Sequence, residues 1–271
     1  MPRDMHLSPR PPSHLWPPCE GEIVHYHKNY SLFAFSLVGA LQRALTSDRL
    51  SLATGGLPCA QARTGLWLEF GVFTGTSIQI IADHRRKLNI KPAVYGFDSF
   101  LGLPEHWRDV WRPKGRDGQE GVRKAATMTQ GNFAMAGSRP PQLDRRFNDY
   151  IEWVVGWYNE TLPMFLNAHP SENVTFVHVD CDLYSSSKLV LDQLSPRMSP
   201  GTVLVFDELF NYPEYLSHEM RALWEFLHDR PDISIQVLAT ATRDIDKAPI
   251  VENFKQACAL KLVARRSGKH S

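Results

Sequence analysis

The chain has 271 residues, 43% of them hydrophobic, and a formal net charge of +1 at pH 7. That length and apolar content suit one large α/β domain with an extended core, and the near-neutral charge gives no reason to expect a nucleic-acid or membrane partner. Cys19, Cys59, Cys181 and Cys258 are scattered with no C-x-x-C pair, which argues against a disulfide framework or zinc cluster and suits a reducing, cytoplasmic setting.

Residues 1–20 hold six prolines. Such a segment forms neither helix nor central strand, so 1–28 is expected to be an extended arm and 29–271 a single domain. The N-terminus lacks the long apolar core of a signal peptide. Residues 30–45 read as a helix; its apolar run at 32–41, interrupted by Ser36 and Gly39, is too short to span a bilayer. Gly55, Gly56 and Pro58 break the pattern before the first core strand.

The organising stretch is 66–77. It reads as a buried strand ending on Glu69, a turn with Gly71 and Gly75, and a helix start where Thr74, Thr76 and Ser77 offer hydroxyls and caps. The two glycines let the backbone approach a ligand without a side chain in the way, and the helix N-terminus favours a carboxylate. Residues 78–88 continue the helix to a basic end, His84, Arg85, Arg86 and Lys87, followed by Pro92. Residues 93–98 are a second strand ending on Asp98, with Ser99 next. Residues 105–147 are polar, charged and long for a connection, which marks them as a lid, partly helical. Strands follow at 150–157, 174–182, 202–208, 233–239 and 257–264, with helices at 160 onward, 189–198 and 216–228.

Strands alternating with helices imply a mostly parallel sheet with helices on both faces, whose ligands bind at the carboxyl ends of the strands. Acids stand at four of those ends: Glu69, Asp98, Asp180 with Asp182, and Asp207 with Glu208. Asp98 is placed to accept the hydroxyls of a ribose. If the strands bearing Asp180 and Asp207 are neighbours, their ends lie on the order of 5 Å apart. Carboxylates so close repel one another and raise each other's pKa; a hard divalent cation held by oxygen ligands removes that penalty. His178 reads as a core histidine; His106, opening the lid, reads first as an ordinary loop histidine and second as a candidate base. Trp157 and Tyr158 are placed to stack on an adenine or shape the substrate cleft.

Taken together, Leu68-Glu69-Phe70-Gly71-Val72-Phe73-Thr74-Gly75-Thr76-Ser77, Gly96-Phe97-Asp98-Ser99-Phe100-Leu101-Gly102-Leu103-Pro104, Gly156-Trp157-Tyr158-Asn159-Glu160-Thr161-Leu162-Pro163, His178-Val179-Asp180-Cys181-Asp182-Leu183-Tyr184-Ser185-Ser186-Ser187 and Ser199-Pro200-Gly201-Thr202-Val203-Leu204-Val205-Phe206-Asp207-Glu208 resemble the class I S-adenosylmethionine-dependent methyltransferases, within them the macrocin and mycinamicin O-methyltransferase-like group. The resemblance spans about 65–230. It implies a Rossmann-like, seven-stranded sheet with a reversed last strand. It implies S-adenosylmethionine bound by Glu69, Gly71, Thr74, Gly75, Thr76, Ser77, Asp98 and Ser99. It implies magnesium at Asp180, Asp207 and Glu208 beside Asp182, and a sugar or other diol-bearing small molecule as hydroxyl acceptor, with Asp180 or His106 as base. The chain departs from the family in having Glu208 for the usual aspartate and Tyr158 for phenylalanine. A nicotinamide-dependent oxidoreductase would want G-x-G-x-x-G at the turn, where this chain has E-F-G-V-F-T-G; a non-enzymatic binding protein on the same fold stays open, as does a homo-oligomer.

Overall fold

The computed structural model describes residues 21–44, 46–48, 64–87, 89–90, 93–113, 122–242 and 255–265. The prolines at 2–18, the glycines at 55 and 56, and Pro92 lie outside them. Eleven strands are described: β1 (Ile23–Val24), β2 (Thr46–Asp48), β3 (Leu66–Phe70), β4 (Val94–Asp98), β5 (Arg108–Pro113), β6 (Val122–Met128), β7 (Ile151–Val155), β8 (Val174–Val179), β9 (Met198–Phe206), β10 (Ile233–Thr242) and β11 (Lys255–Ala264). The helices are α1 (Tyr30–Arg43), α2 (Thr76–Lys87), α3 (Tyr158–Ala168), α4 (Tyr184–Leu194) and α5 (Glu219–Asp229).

The main sheet has nine strands in the order β1-β10-β11-β9-β8-β3-β4-β7, with β2 also on β10. The pairs β3–β4, β4–β7, β3–β8 and β8–β9 are parallel, and β11 runs antiparallel to both β9 and β10. The seven expected strands with a reversed last one are therefore present. Two short strands extend the sheet at its β10 edge. One of them, β1, comes from the end of the stretch expected to be an arm: Ile23 and Val24 pair with Gln236 and Ile235, and Val24 is buried there.

Alternation along each strand builds two cores, because successive side chains point to opposite faces. Leu68, Phe70, Phe97, Val177, Val179, Leu204 and Phe206 pack on one face with α1, α3, α4 and α5. Trp67, Val94, Phe176, Val203 and Val205 pack on the other with Ile78, Ile81 and Ala82 of α2. All five residues of β3 are buried, as a central parallel strand covered on both sides requires.

Three expectations change in detail. The segment expected to be a partly helical lid contains an antiparallel hairpin, β5–β6, followed by loop and a 3-10 turn at Arg145–Phe147. Val110, Trp111, Val122 and Thr127 are residue types that favour strands. The strand expected over 150–157 stops at Val155, because Gly156 turns the chain at φ 140°; Tyr158 therefore opens α3 rather than ending a strand. The helix expected over 216–228 begins at Glu219, after a 3-10 turn at Tyr215–Ser217. Among the described residues no helix is long and apolar enough to cross a membrane.

Candidate active site

The carboxyl ends of β3, β4, β8 and β9 lie side by side, so the acids that close them share one rim. The main chain fixes this rim before any side chain acts. The Asp180 N–H donates to the Phe70 carbonyl at 2.9 Å, the Gly71 N–H to Phe97 at 3.0 Å and the Asp207 N–H to Val179 at 3.1 Å.

Glu69 is fully buried. Its Oε1 accepts from Ser77 Oγ, at the start of α2, and from His178 Nδ1 at 3.1 Å. Burial pulls the His178 imidazole down, but the hydrogen bond and charge of Glu69, with Asp180 and Asp207 behind it, outweigh burial and push it up to about 9. His178 is thus more than a core histidine: it forms a buried ion pair with Glu69 that ties β8 to β3. Glu69 Oε2 is buried and makes no hydrogen bond.

Asp98 works first on its own chain. Its Oδ2 accepts from the Val72 and Phe73 amides at 2.8 and 2.9 Å, and its Oδ1 from the Phe100 amide at 2.7 Å. It staples the glycine turn to the end of β4, leaving spare acceptor capacity on Oδ1. Ser99 Oγ accepts from the Leu101 amide at 3.1 Å. Thr74 and Thr76 bring their hydroxyls within 3.4 Å of each other on the turn, and Phe73 and Phe133, both exposed, meet edge to face at 5.5 Å above it. Asp98→Asn would aim an amide N–H2 at backbone N–H groups. Its expected cost is about 1–3 kcal/mol in stability, read by urea denaturation, with weaker S-adenosylmethionine binding by calorimetry; a variant as stable as wild type would contradict the staple.

The remaining acids gather around Asp180. The ligand atoms of Asp180, Asp182 and Glu208 lie within 4.8 Å of one another, as do those of His178, Asp180 and Asp207. The expected set Asp180, Asp207 and Glu208 is thus divided between two groups that share Asp180. Asp182 joins Glu208 because Asp182 takes a left-handed φ of 62°, turning its side chain back to the rim just after β8 ends. Burial raises the Asp180 carboxyl well above its ordinary value, and the charge of Asp207 adds to this. Burial does the same to Glu208, reinforced by Asp207, Asp182 and Asp180. Hard oxygen donors crowded in this way match magnesium.

One further group was not legible as a site residue. Glu219, in the first turn of α5, is fully buried. Burial, then Asp182 and Asp207, raise its carboxyl, while the amides of Cys181 and Glu208 hold it down. It therefore ties the loops after β8 and β9 together. A Glu opening a helix is so common in sequences that nothing singled it out. The Tyr158 ring meets Phe70 edge to face at 5.4 Å; burial, then the neighbouring Cys181, Asp98, Asp180 and Asp182, push its phenol up. Candidate base His106 is exposed and belongs to neither acid group. Its nearest titrating effect is on His218, which burial and then Arg108 and His106 pull down.

A family profile described as a methyltransferase domain matches residues 68–209, just over half of the chain. The chain belongs to this methyltransferase family. The methyltransferase match takes in every acid of the rim from Glu69 to Glu208 and leaves Glu219 outside. Among curated proteins, the chain is 29% identical over 157 residues to the 8-demethyl-8-(2,3-dimethoxy-alpha-L-rhamnosyl)-tetracenomycin-C 4'-O-methyltransferase of Streptomyces olivaceus, covering 56% of this chain and 54% of that one. It is 24% identical over 159 residues to the mycinamicin III 3''-O-methyltransferase of Micromonospora griseorubida, covering 56% of each. The chain spans about half the length of these methyltransferases. Among solved structures, a calicheamicin methyltransferase is 20% identical, with 86% of each chain covered and a TM-score of 0.49.

Proposed function

We propose that this chain is an S-adenosylmethionine-dependent O-methyltransferase acting on a hydroxyl of a sugar or other diol-bearing small molecule, assisted by magnesium. The observation that carries the reading is the convergence on one rim of the Glu69–Gly75 turn, Asp98 and the carboxylates of Asp180, Asp182, Asp207 and Glu208. The resemblance and the relatives' activities point the same way.

The residues present fit both groups. For the cofactor, the turn opens on the N-terminus of α2, where backbone N–H groups favour a carboxylate. Asp98 and Ser99 would hold the ribose, and the exposed Phe73 and Phe133 would supply apolar surface. For magnesium, Asp180, Asp182 and Glu208 would be the ligands, with Asp207 next to them; His178 is committed to Glu69, and nitrogen suits this ion less than oxygen.

When bound, the cofactor supplies an electrophilic methyl group and the ion a positive centre that acidifies an acceptor hydroxyl. The chain supplies position and proton acceptance. Asp180, shared by both acid groups, takes the hydroxyl proton; His106 is exposed ahead of β5 and belongs to neither group. The Glu69–His178 pair and Asp98 hold β3, β4 and β8 in fixed register, which keeps the two reactants aligned. Hairpin β5–β6 with the following loop would then take the covering role read for 105–147.

Calorimetry with S-adenosylmethionine, then transfer of labelled methyl to a panel of glycosides with and without a chelator, tests this. Micromolar cofactor binding and methylation lost in chelator are expected. Absence of cofactor binding would overturn the enzyme reading, and methylation unchanged in chelator the metal.

A further inference from the structure

Beside the acid group stands a set of polar side chains that the reaction as described does not use. Trp107, leading into β5, and Tyr212, in the loop after β9, are 5% and 6% exposed. Trp107 Nε1, Tyr212 Oη and His218 Nδ1 are buried atoms that make no hydrogen bond. They form one cluster. The Arg108 guanidinium carbon lies 3.9 Å from the Trp107 ring centre and 4.2 Å from that of Tyr212, so the cation sits over both rings, whose planes are inclined at 70°. The Trp107 and Tyr212 centroids are 6.4 Å apart, and those of Tyr212 and His218 6.3 Å.

The cluster adjoins the rim. Trp107 packs against Leu183, the residue after Asp182. The Tyr212 phenol feels the charges of Glu219, Glu208 and Asp182, which with burial raise it and keep it protonated. A buried indole N–H can only donate, and a neutral phenol placed among carboxylates carries a donor of its own. Buried donors are costly to leave unmatched, so two of them together beside the acid group suit a partner with acceptor oxygens.

We infer that Trp107 Nε1 and Tyr212 Oη form the acceptor subsite, donating hydrogen bonds to ring or hydroxyl oxygens of a saturated, oxygen-rich substrate whose neighbouring hydroxyls reach the acid group. The inference deepens the proposed methyl transfer and rests on it for the position of the reacting hydroxyl. It makes the two residues specificity determinants: a polyol or glycoside satisfies both donors, whereas a flat diol with no further oxygens satisfies neither. The hairpin then recognises the acceptor as well as covering it, since Trp107 and Arg108 enter the site at its base.

The test uses the full chain with S-adenosylhomocysteine and magnesium, and two probes: methyl α-L-rhamnopyranoside, and catechol as a diol without extra oxygens. Ligand-observed saturation transfer is measured for wild type, Trp107→Phe and Tyr212→Phe; both variants keep a ring on Arg108. The glycoside signal is expected to fall at least about fivefold in each variant, with catechol and S-adenosylhomocysteine binding unchanged within about twofold. A wild-type protein that binds the cofactor product but shows no transfer to the glycoside overturns the inference, as do variants that bind it equally well. If the cofactor product itself fails to bind, the proposed function falls, and the glycoside measurement is still read on the cofactor-free chain. A reading that needs no stable variant comes from 15N-tryptophan-labelled protein. One of the seven tryptophan indole N–H resonances, the one missing from Trp107→Phe, must move on glycoside titration; an unmoved resonance overturns the inference.

Discussion

Asp180→Asn is expected to lower methyl transfer by about 10³-fold while leaving the metal-free protein more stable than wild type. Both effects come from the same position. Asp180 belongs to both groups of clustered ligand atoms, and burial together with Asp207, Asp182 and Glu69 raises its carboxyl well above the ordinary range. Negative charge there is costly without a cation, so removing it relieves repulsion. Asparagine keeps the shape and adds an N–H2 that can donate to the neighbouring carboxylates. A gain of about 1 kcal/mol would lift the melting point by about 2–4 °C in a domain of this size. The added amide is neither a base nor a good ligand for a hard cation, so the wild-type rise in melting point on adding magnesium is expected to disappear. Differential scanning fluorimetry with and without magnesium reads the second effect without an acceptor. An Asp180→Asn protein that is destabilised without metal, or that magnesium still stabilises fully, would remove Asp180 from the centre of the site.

The reason the acids could be found in the sequence is also the reason their partners could not. A carboxylate at the end of an apolar strand is anomalous in one dimension: Glu69 after Leu66-Trp67-Leu68, Asp98 after Tyr95-Gly96-Phe97 and Asp207 after Leu204-Val205-Phe206 each interrupt a run that otherwise reads as core. Parallel pairing then brings them to one rim without further information. What the acids bond to depends on registers between segments far apart in the chain, such as Glu69 with His178 across 109 positions or Asp98 with the amides of Val72 and Phe73. Asp182 and Glu219 depend on something subtler. One needs a left-handed residue just past a strand, and the other a helix that starts three residues later than its apolar pattern suggests. The pairing of β5 with β6 was missed because the long polar interval 105–147 hid the strand-forming types within it.

Gly71→Ala is expected to be strongly destabilising, for a reason different from the one its place in the turn suggests. A turn glycine beside a bound nucleoside is naturally read as making room for the ligand. Here the space is taken by protein. A Cβ at Gly71 would sit 1.8 Å from the Asp180 carbonyl oxygen and 2.8 Å from its carbon, and Gly71 adopts φ 89°. The obstacle is backbone, held by the bonds of Asp180 to Phe70 and of Gly71 to Phe97, so it cannot swing aside as a side chain would. The forced dihedral costs about 1–3 kcal/mol and the overpacking about as much again, against a total stability of about 5–15 kcal/mol. Gly75 gives the control: it too has positive φ, 79°, but its Cβ would meet side-chain atoms, Leu143 at 2.8 Å and Pro141 at 3.0 Å, of which the leucine can yield. Gly131, at φ 83° with nothing within 4 Å, isolates the dihedral cost alone. Urea denaturation should therefore rank the losses Gly71→Ala, Gly75→Ala, Gly131→Ala from largest to smallest. The same ranking should hold for magnesium stabilisation, because only the first displaces the main chain that carries Asp180. If Gly75→Ala proves as costly as Gly71→Ala, the close approach of the β3 turn to Asp180 does not set the position of the acid rim, and the turn's glycines serve the ligand instead.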